Sequence, residues 1–216
     1  MISEFSLSHV VLLLAAARWT VLVSLLAFAC GGLAGFAVAL GRTARSGALR
    51  TLTAAYIQLV QGTPVLIVLF LSYYGLSLLG LKLSPLVAAT LAMSIYASAY
   101  LGEIWRGCIQ AVPRGQWEAS SSLAMTRWQQ LRHVVLPQAL RLALPPTVGF
   151  SVQVVKNTSI TSIIGVVELT RSGQLINNAT FQPFQVFLVV AALYFALCFP
   201  LSTAAKRMER KLHAHR

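Results

Sequence analysis

Residues that could carry out covalent chemistry are few in this sequence, and they are scattered along it. The five acidic residues are all glutamates and lie far apart, so a paired-carboxylate catalytic site is hard to build. The cysteines and histidines do not cluster at metal-binding or redox spacings; they are Cys30, Cys108, Cys198, His9, His133, His213 and His215. The sequence contains no phosphate-binding glycine loop, zinc-protease motif or nucleophile elbow. It therefore predicts a protein that is not an enzyme and that binds no metal or cofactor itself.

Two ionisable residues lie within long, mainly apolar segments of the sequence, where such groups are functional candidates by default. One is a lysine among polar neighbours: Lys156, with Gln153, Asn157, Thr158 and Ser159. Its ammonium group and the nearby amides could hold a carboxylate. Alternatively, the lysine extends toward the membrane surface or binds the carbonyls of a broken helix. The other is Glu103, which could receive an ammonium group or could pair with Arg106 or Lys156.

The composition indicates what must position these groups. Of 216 residues, 57% are hydrophobic and 10% are charged, with a mean hydropathy of +0.73, whereas about 25% are charged in soluble domains. A membrane-spanning helix needs about 20 apolar residues. Long intervals between charged residues, of which the fourth is interrupted by Lys156, predict five spans at about 18–41, 52–80, 84–107, 138–167 and 184–206. The sequence thus predicts a single all-α integral membrane domain over 1–216, with a loop at 108–137 between spans 3 and 4.

The basic residues are distributed unevenly between the two sides of such a bundle. Of 17 lysines and arginines, 13 fall in 42–50, 106–141 and 206–216, which share one side. Because positive charge marks the cytoplasmic face, the N-terminus is predicted to lie outside and the C-terminus inside. The net charge of +12 then has an explanation that requires no nucleic acid.

Three further features concern the shape and packing of the helices. Pro64 predicts a kink or break in the second span, packed against a neighbour or lining a water-filled path. Residues 7–17 are expected to form a short helix at the membrane interface. Small residues recur every four positions in the first span and predict close packing: Ala27, Gly31, Gly35 and Ala39. Because five tightly packed helices leave little room for a channel within one chain, we expect an oligomer with the pathway at the subunit interface. Cross-linking of cysteines placed along the small-residue stripes would test this expectation.

The loop between spans 3 and 4 is predicted to form two short helices. Pro113 can start the first, over about 113–123, and Thr126 with Gln129 has the form of a capping box for the second. Leu136-Pro137 is expected to end the second helix. The acid Glu118 and nearby tryptophans suit the docking of another protein, and the alternative is an interfacial helix resting on lipid headgroups.

These segments resemble the permeases of ABC importers, and in particular their polar amino-acid branch, the histidine, glutamine and arginine uptake family. Glu118-Ala119-Ser120 followed by Ala124 and Val135-Leu136-Pro137 is similar to the EAA loop of that superfamily. Other similar segments are Gly102-Glu103-Ile104-Trp105-Arg106-Gly107, Gln61-Gly62-Thr63-Pro64, Leu136-Pro137-Gln138-Ala139-Leu140-Arg141 and Lys156-Asn157-Thr158-Ser159. The sequence departs from the family at Ser120 (usually alanine), at Ala124 (usually glycine) and at Gln61 (commonly arginine).

The resemblance implies the transmembrane subunit of an importer in the bacterial cytoplasmic (inner) membrane. Its implied partners are ABC ATPase subunits that bind ATP and Mg²⁺, a second permease (identical or paralogous), an extracytoplasmic amino-acid-binding protein and the amino acid itself. The first loop helix would be the coupling helix, and the implied coupling residues are Gln116, Glu118, Ala119, Ser120, Ala124 and Pro137. The candidates for the substrate pathway are Thr63, Tyr96, Glu103, Gln153, Lys156, Asn157 and Thr158.

Two other classes of membrane protein compete with the importer permease as explanations of these residues. A small membrane enzyme needs a catalytic constellation, and the scarcity of acids and of clustered histidines argues against one. A structural or regulatory membrane protein could have the same five spans, but it has no reason to carry the loop motif together with Gln61-Gly62-Thr63-Pro64 and Lys156-Asn157-Thr158-Ser159. Adjacent genes for an ATPase and a secreted binding protein would favour the importer.

Overall fold

The computed structural model describes residues 4–214, and every regular element in that range is helical. The α-helices there are α1 Leu7–Arg42, α2 Gly47–Gln61, α3 Val65–Phe70, α4 Leu76–Leu78, α5 Pro85–Gln110, α6 Arg114–Ser122, α7 Arg127–Gln129, α8 Leu136–Asn157, α9 Leu169–Thr180 and α10 Pro183–Ala214. Two π-helical segments, Leu71–Gly75 and Gln130–Val135, and a 3-10 helix, Thr158–Ile164, connect some of them. Arg216, predicted to be cytoplasmic, lies outside the described residues.

The length and composition of the helices fit the predicted membrane protein. Within the described range, α1, α5 and α10 are long and apolar enough to cross a membrane, and the number rises to five if each of two bent helix pairs is one span. The bent pairs are α2 with the segment 65–78, and 127–164 with α9. The prediction of an all-α integral membrane protein is confirmed.

The first helix is longer than the sequence suggested. α1 contains 36 residues in one piece, so the expectation of a separate interfacial helix over 7–17 was wrong. The reason is tertiary packing: Leu13 is fully buried in an apolar cluster that includes Leu169 and Val186, near the starts of α9 and α10. The buried side chain holds this segment as a continuation of α1.

The small-residue stripe of α1 packs against α5. A Cβ atom added at Gly31 would lie 2.6 Å from the Cβ of Ala97, and one added at Gly35 would lie 3.0 Å from the carbonyl oxygen of Ser98. Missing side chains allow this close backbone approach, as predicted. Because the stripe is buried inside the chain, it does not offer a surface to a second subunit, and cysteines placed along it would not report on an oligomer.

The predicted break at Pro64 is confirmed, and it is sharper than a kink. The chain turns by 101° between α2 and the helical segment that follows, so 52–80 is not one straight span. The last backbone carbonyls of α2 find hydrogen-bond donors close by in the chain. The Gly62 N–H donates to the carbonyl of Gln58 at 2.8 Å, and the Thr63 hydroxyl donates to the carbonyl of Leu59 at 2.7 Å. The break itself is largely exposed, with Gly62 and Pro64 accessible at the surface of the chain.

The fourth span differs from its prediction at both ends. The helix that Thr126 caps does not stop at Pro137 but continues through the π-helical segment 130–135 into α8. A π-helical turn leaves a backbone position without its usual hydrogen bond, and there the missing N–H of proline costs little. α8 ends at Asn157, and the chain continues as a 3-10 helix to Ile164 and bends by 50° into α9. The predicted span 138–167 therefore combines two kinds of helix.

Candidate functional site

An open recess of about 410 Å³ lies where the break after α2 meets α5 and α8. The residues that line it are mostly polar side chains together with the backbone of the break: Gln61, Gly62, Thr63, Pro64, Val65, Tyr96, Tyr100, Gln153 and Asn157. Small-molecule sites have volumes of about 300–1,000 Å³, so the recess has the size of such a site.

The helical repeat places these groups on facing helix surfaces. Gln153 and Asn157 are one turn apart on α8, and Tyr96 and Tyr100 are one turn apart on α5, so each pair shares a face. The ring centroids of the two tyrosines are 4.6 Å apart, and Tyr100 stacks on Phe150 of α8 at 5.5 Å with an interplanar angle of 12°. These aromatic contacts hold α5 against α8 beside the recess.

The structure brings together four of the seven predicted pathway residues: Thr63, Tyr96, Gln153 and Asn157. Lys156 is not among them. Its side chain is exposed and lines a separate groove of about 240 Å³ between α8 and α10, with Tyr194 and Cys198. Because consecutive residues of an α-helix are separated by about 100°, Lys156 lies on a different face from Asn157.

The other two pathway candidates also lie outside the recess. Thr158 is fully buried, and its hydroxyl donates to the carbonyl of Val155 at 2.7 Å. Glu103 accepts a hydrogen bond from the Nε of Arg106 at 2.9 Å, and the Nε of Arg42 lies 3.8 Å from the same carboxylate. Of the alternatives for Glu103, pairing with Arg106 is confirmed, and Lys156 is not its partner.

Sequence reasoning missed Tyr100 as a lining residue and treated Gln61 only as a departure from a family pattern. A signal for Tyr100 was available, since it follows Tyr96 by four residues on a helix. Gln61 could have been placed by its position immediately before the break. Its Nε2 lies 3.5 Å from the carbonyl oxygen of Ala99, which brings the end of α2 against α5.

Glu168 is a second residue that the sequence did not single out. It is fully buried, and its carboxylate accepts hydrogen bonds from the backbone N–H groups of Thr170 and Arg171, both at 2.9 Å. It also accepts from the hydroxyls of Tyr194 at 2.8 Å and Thr20 at 3.3 Å. Glu168 is thus the N-cap of α9 and joins that helix to α1 and α10. Such full hydrogen bonding offsets the cost of burying a charge.

The predicted first loop helix is present as α6, and side chains fix it to the helix that follows. The guanidinium carbon of Arg127 lies 4.0 Å from the centroid of the Trp117 ring. The Gln130 amide, which is buried, donates to the hydroxyl of Ser121 at 2.8 Å. The loop is therefore a packed unit and not a flexible connection.

The predicted coupling residues differ in their exposure. Glu118 and Ala119 are exposed on α6, and Pro137 is exposed at the start of α8. Gln116 is exposed as well and accepts a hydrogen bond from Gln138 at 3.2 Å. Ser120 is buried, and its hydroxyl donates to the carbonyl of Trp117 at 2.9 Å. Ser120 consequently contributes to the interior of the loop, while the other five predicted coupling residues, including Ala124, are exposed.

The turn after α6 takes a strained backbone conformation. Ala124 has φ 54°, in the left-handed region that glycine adopts at little cost and alanine at about 1–2 kcal/mol. The sequence left open whether Ala124 adopts a costlier conformation or whether the turn differs; the first of these is observed.

Comparison with known proteins gives a consistent result. Residues 31–214 match the family model described as "Binding-protein-dependent transport system inner membrane component". The chain is 35% identical over 195 residues to an L-cystine transport system permease of Bacillus subtilis strain 168, covering 90% of this chain and 83% of that one. It is 32% identical over 203 residues to a glutamine transport system permease of Escherichia coli strain K12, covering 93% of each.

A solved structure shows the same relationship in three dimensions. The crystal structure of an amino acid ABC transporter with histidines contains a chain that superimposes with a TM-score of 0.86 at 34% identity, covering 93% of this chain and 94% of that one. With the family model matching most of the sequence, the resemblance to ABC-importer permeases is confirmed. This chain belongs to the binding-protein-dependent transport system inner membrane components, among the permeases of amino-acid ABC transporters.

Proposed function

We propose that this chain forms the translocation pathway of an ATP-driven importer for a polar amino acid or a close analogue. It does so in the bacterial cytoplasmic membrane, with its N-terminus outside and the loop 108–137 inside. Family membership supports the general role, and relatives named for glutamine and cystine transport support the class of substrate. The observation that carries the proposal for this chain is the polar recess at the break of α2.

The recess offers the groups that an amino acid requires. The amides of Gln153 and Asn157 and the tyrosine hydroxyls can donate to a carboxylate. The C-terminal end of the 15-residue helix α2 carries partial negative charge, which favours an α-ammonium group. A broken helix that presents such groups inside the bundle is a recurring substrate site in transporters. Lys156 is not a carboxylate ligand in this proposal, because it lines a different groove.

ATP hydrolysis by the partner ATPase would act on this chain through the loop between α5 and α8. α6 would be the coupling helix, seated in a groove of an ABC ATPase that binds ATP and Mg²⁺, with Glu118 as its exposed anchor. Because Trp117, Arg127 and Gln130 fix α6 to the helix leading into α8, a movement of α6 is transmitted to Gln153 and Asn157 at the far end of α8. Such a movement alternately opens the recess to the two sides of the membrane.

The remaining partners are a second permease and an extracytoplasmic binding protein. The recess of this chain is open on one side, and we expect the second permease, identical or paralogous, to close it. That contact involves surfaces other than the small-residue stripe of α1, which α5 covers. The binding protein would deliver the amino acid at the end opposite α6.

ATP-driven uptake in proteoliposomes tests the proposal. The permease is reconstituted with its ATPase, its partner permease and its binding protein, and uptake of labelled amino acid is measured for the wild type and for Asn157→Leu. The substitution keeps the side-chain size and removes the amide, so uptake is expected to fall at least tenfold. The matched control is Asn178→Leu, at an exposed position of α9, which should transport normally. Normal uptake by Asn157→Leu would contradict the proposed site.

A further inference from the structure

We infer that the recess selects amino acids whose side chains carry no net charge, and that Gln153 is a principal determinant of this selectivity. The inference rests on the proposed function, because it assumes that the substrate occupies the recess. It concerns the chemistry of the recess walls, which the similarity to other permeases does not specify.

The walls of the recess are polar but uncharged. Its polar side chains are amides, a hydroxyl and phenols, from Gln61, Thr63, Tyr96, Tyr100, Gln153 and Asn157. These groups donate and accept hydrogen bonds without a formal charge at neutral pH. The recess therefore differs from the groove between α8 and α10, whose lining includes the charged residue Lys156.

The charged groups nearest along the lining helices are engaged or face elsewhere. Glu103 follows the lining residue Tyr100 by three residues on α5, about 4.5 Å along the helix axis. Its carboxylate does not line the recess; it is bound to Arg106 and lies 3.8 Å from the Nε of Arg42. Lys156 is adjacent to Asn157 in sequence but lines the groove against α10. In the described part of the chain, neither residue is placed to neutralise a charge in the recess.

The free-energy cost of moving a charged side chain from water into this uncharged recess then determines which amino acids bind. A cationic or anionic side chain entering the recess gives up water without gaining an ion-pair partner, which is expensive inside a membrane bundle. A neutral amide side chain exchanges its hydrogen bonds with water for hydrogen bonds with amides and hydroxyls of the walls. Sites built for hydrogen bonding discriminate strongly against substrates that leave their polar groups unmatched.

Gln153 is the best-placed determinant among the three amides. The side chain of Gln61 is turned toward the backbone of α5 through its contact with the Ala99 carbonyl. Gln153 lies on the exposed face of α8, one turn from Asn157. A carboxylate at position 153 would have nearly the same shape as the native amide, so Gln153→Glu changes the charge of the wall and little else.

Direct binding measurements on the permease–ATPase complex in nanodiscs test the inference. The binding protein is left out, so that its own selectivity does not contribute. The probes are labelled glutamine, arginine and glutamate, which have long polar side chains of different charge. The wild-type complex is expected to bind glutamine at least tenfold more tightly than either charged probe.

Gln153→Glu should raise the affinity for arginine relative to glutamine at least tenfold. Gln61→Glu provides a second variant with the same expected direction, in case the first does not fold. Gln185→Glu makes the same chemical change at an exposed site on α10, outside the recess, and should leave the preference of the wild type unchanged.

The outcomes separate the inference from the proposed function. Suppose that the wild type binds arginine or glutamate as tightly as glutamine, and that Asn157→Leu abolishes this binding. The inference that the recess excludes charged side chains is then wrong, while the proposed location of the substrate site stands. If Gln153→Glu and Gln61→Glu both fold but do not shift the preference, the role of the wall amides is wrong. If no probe binds, or if Asn157→Leu binds all probes normally, the proposed site itself fails.

Discussion

The guanidinium of Arg127 lies over the ring of Trp117, 4.0 Å from its centroid, and joins the two helical parts of the loop. A cation–π contact at a partly exposed site contributes about 0.5–1 kcal/mol. The hydrogen bond between Gln130 and Ser121 adds a second connection nearby. Together they make the position of α6 depend on the helix that leads into α8.

Removing the Arg127 side chain should loosen this connection. Arg127→Ala is expected to raise hydrogen–deuterium exchange in α6 about two- to fivefold, because the local opening free energy falls by about 0.5–1 kcal/mol. Arg132→Ala removes an exposed arginine one helical segment later and serves as the control. Equal exchange in the two variants would show that the contact does not hold α6.

Reversing the charge of Glu118 should uncouple ATP hydrolysis from transport. Glu118 is exposed on α6, so Glu118→Lys is expected to leave membrane insertion intact, while ATPase stimulation by loaded binding protein and amino-acid uptake both fall. The measurement is ATPase activity and uptake in the same proteoliposomes. Glu209→Lys, an exposed charge reversal on α10, is the control. Unchanged transport in Glu118→Lys would count against the coupling role.

Relieving the strained turn should stabilise the protein. Ala124→Gly removes the left-handed strain at φ 54°, and we expect a gain of about 1 kcal/mol in the free energy of unfolding. Ala119→Gly, inside the helix α6, should lower it by about 0.5–1 kcal/mol. Unfolding of the purified permease by denaturant in mixed micelles measures both changes. The same sign for both substitutions would argue against strain at Ala124.

Adding one methyl group at the contact between α1 and α5 should be costly. Gly31→Ala places a Cβ 2.6 Å from the Cβ of Ala97 and 2.8 Å from the carbonyl oxygen of Ser94, and we expect a loss of about 1–3 kcal/mol from overpacking. Gly107→Ala introduces a Cβ that meets no atom within 4 Å apart from its chain neighbours and the adjacent backbone of its own helix, and it should stabilise α5 by about 0.5–1 kcal/mol. The yield and thermal unfolding of the two variants should therefore change in opposite directions.

Neutralising Glu168 should weaken the junction of three helices. Glu168→Gln keeps the volume but replaces an acceptor oxygen with an amide donor that faces N–H and O–H donors. The expected loss is about 1–3 kcal/mol. Glu209→Gln, at an exposed site, should stay within about 0.5 kcal/mol of wild type. A stability of Glu168→Gln equal to that of Glu209→Gln would mean that the carboxylate is not needed at the junction.

The features that the sequence predicted correctly depend on local chemistry. Pro64 lacks an N–H, and the break occurs there. Thr126 and Gln129 form the predicted capping box. Glu103 and Arg106 are separated by three residues on a helix, and they pair. In each case the interacting atoms lie within one turn of the chain, so spacing alone determines the contact.

The features that it missed depend on packing between distant segments. The recess requires α2, α5 and α8 to meet, and no local pattern states that Gln61 and Gln153 share a wall. Lys156 was grouped with Asn157 because they are neighbours in sequence, whereas the turn of the helix separates them. Pro137 continues a helix because the π-helical segment before it changes the hydrogen-bonding register. These outcomes follow from tertiary contacts and from exceptions to the α-helical repeat.

The connections of Glu168 also constrain the order in which the membrane protein can mature. Thr20 precedes Glu168 by 148 residues, and Tyr194 follows it by 26. During synthesis the carboxylate therefore enters the bundle before the last helix can supply its tyrosine. A chain interrupted before α10 would keep the two backbone N–H donors of α9 and the Thr20 hydroxyl, but the carboxylate would lack its fourth donor, the Tyr194 hydroxyl. The final helix thus completes the hydrogen bonding of a buried acid that α1 and α9 only begin.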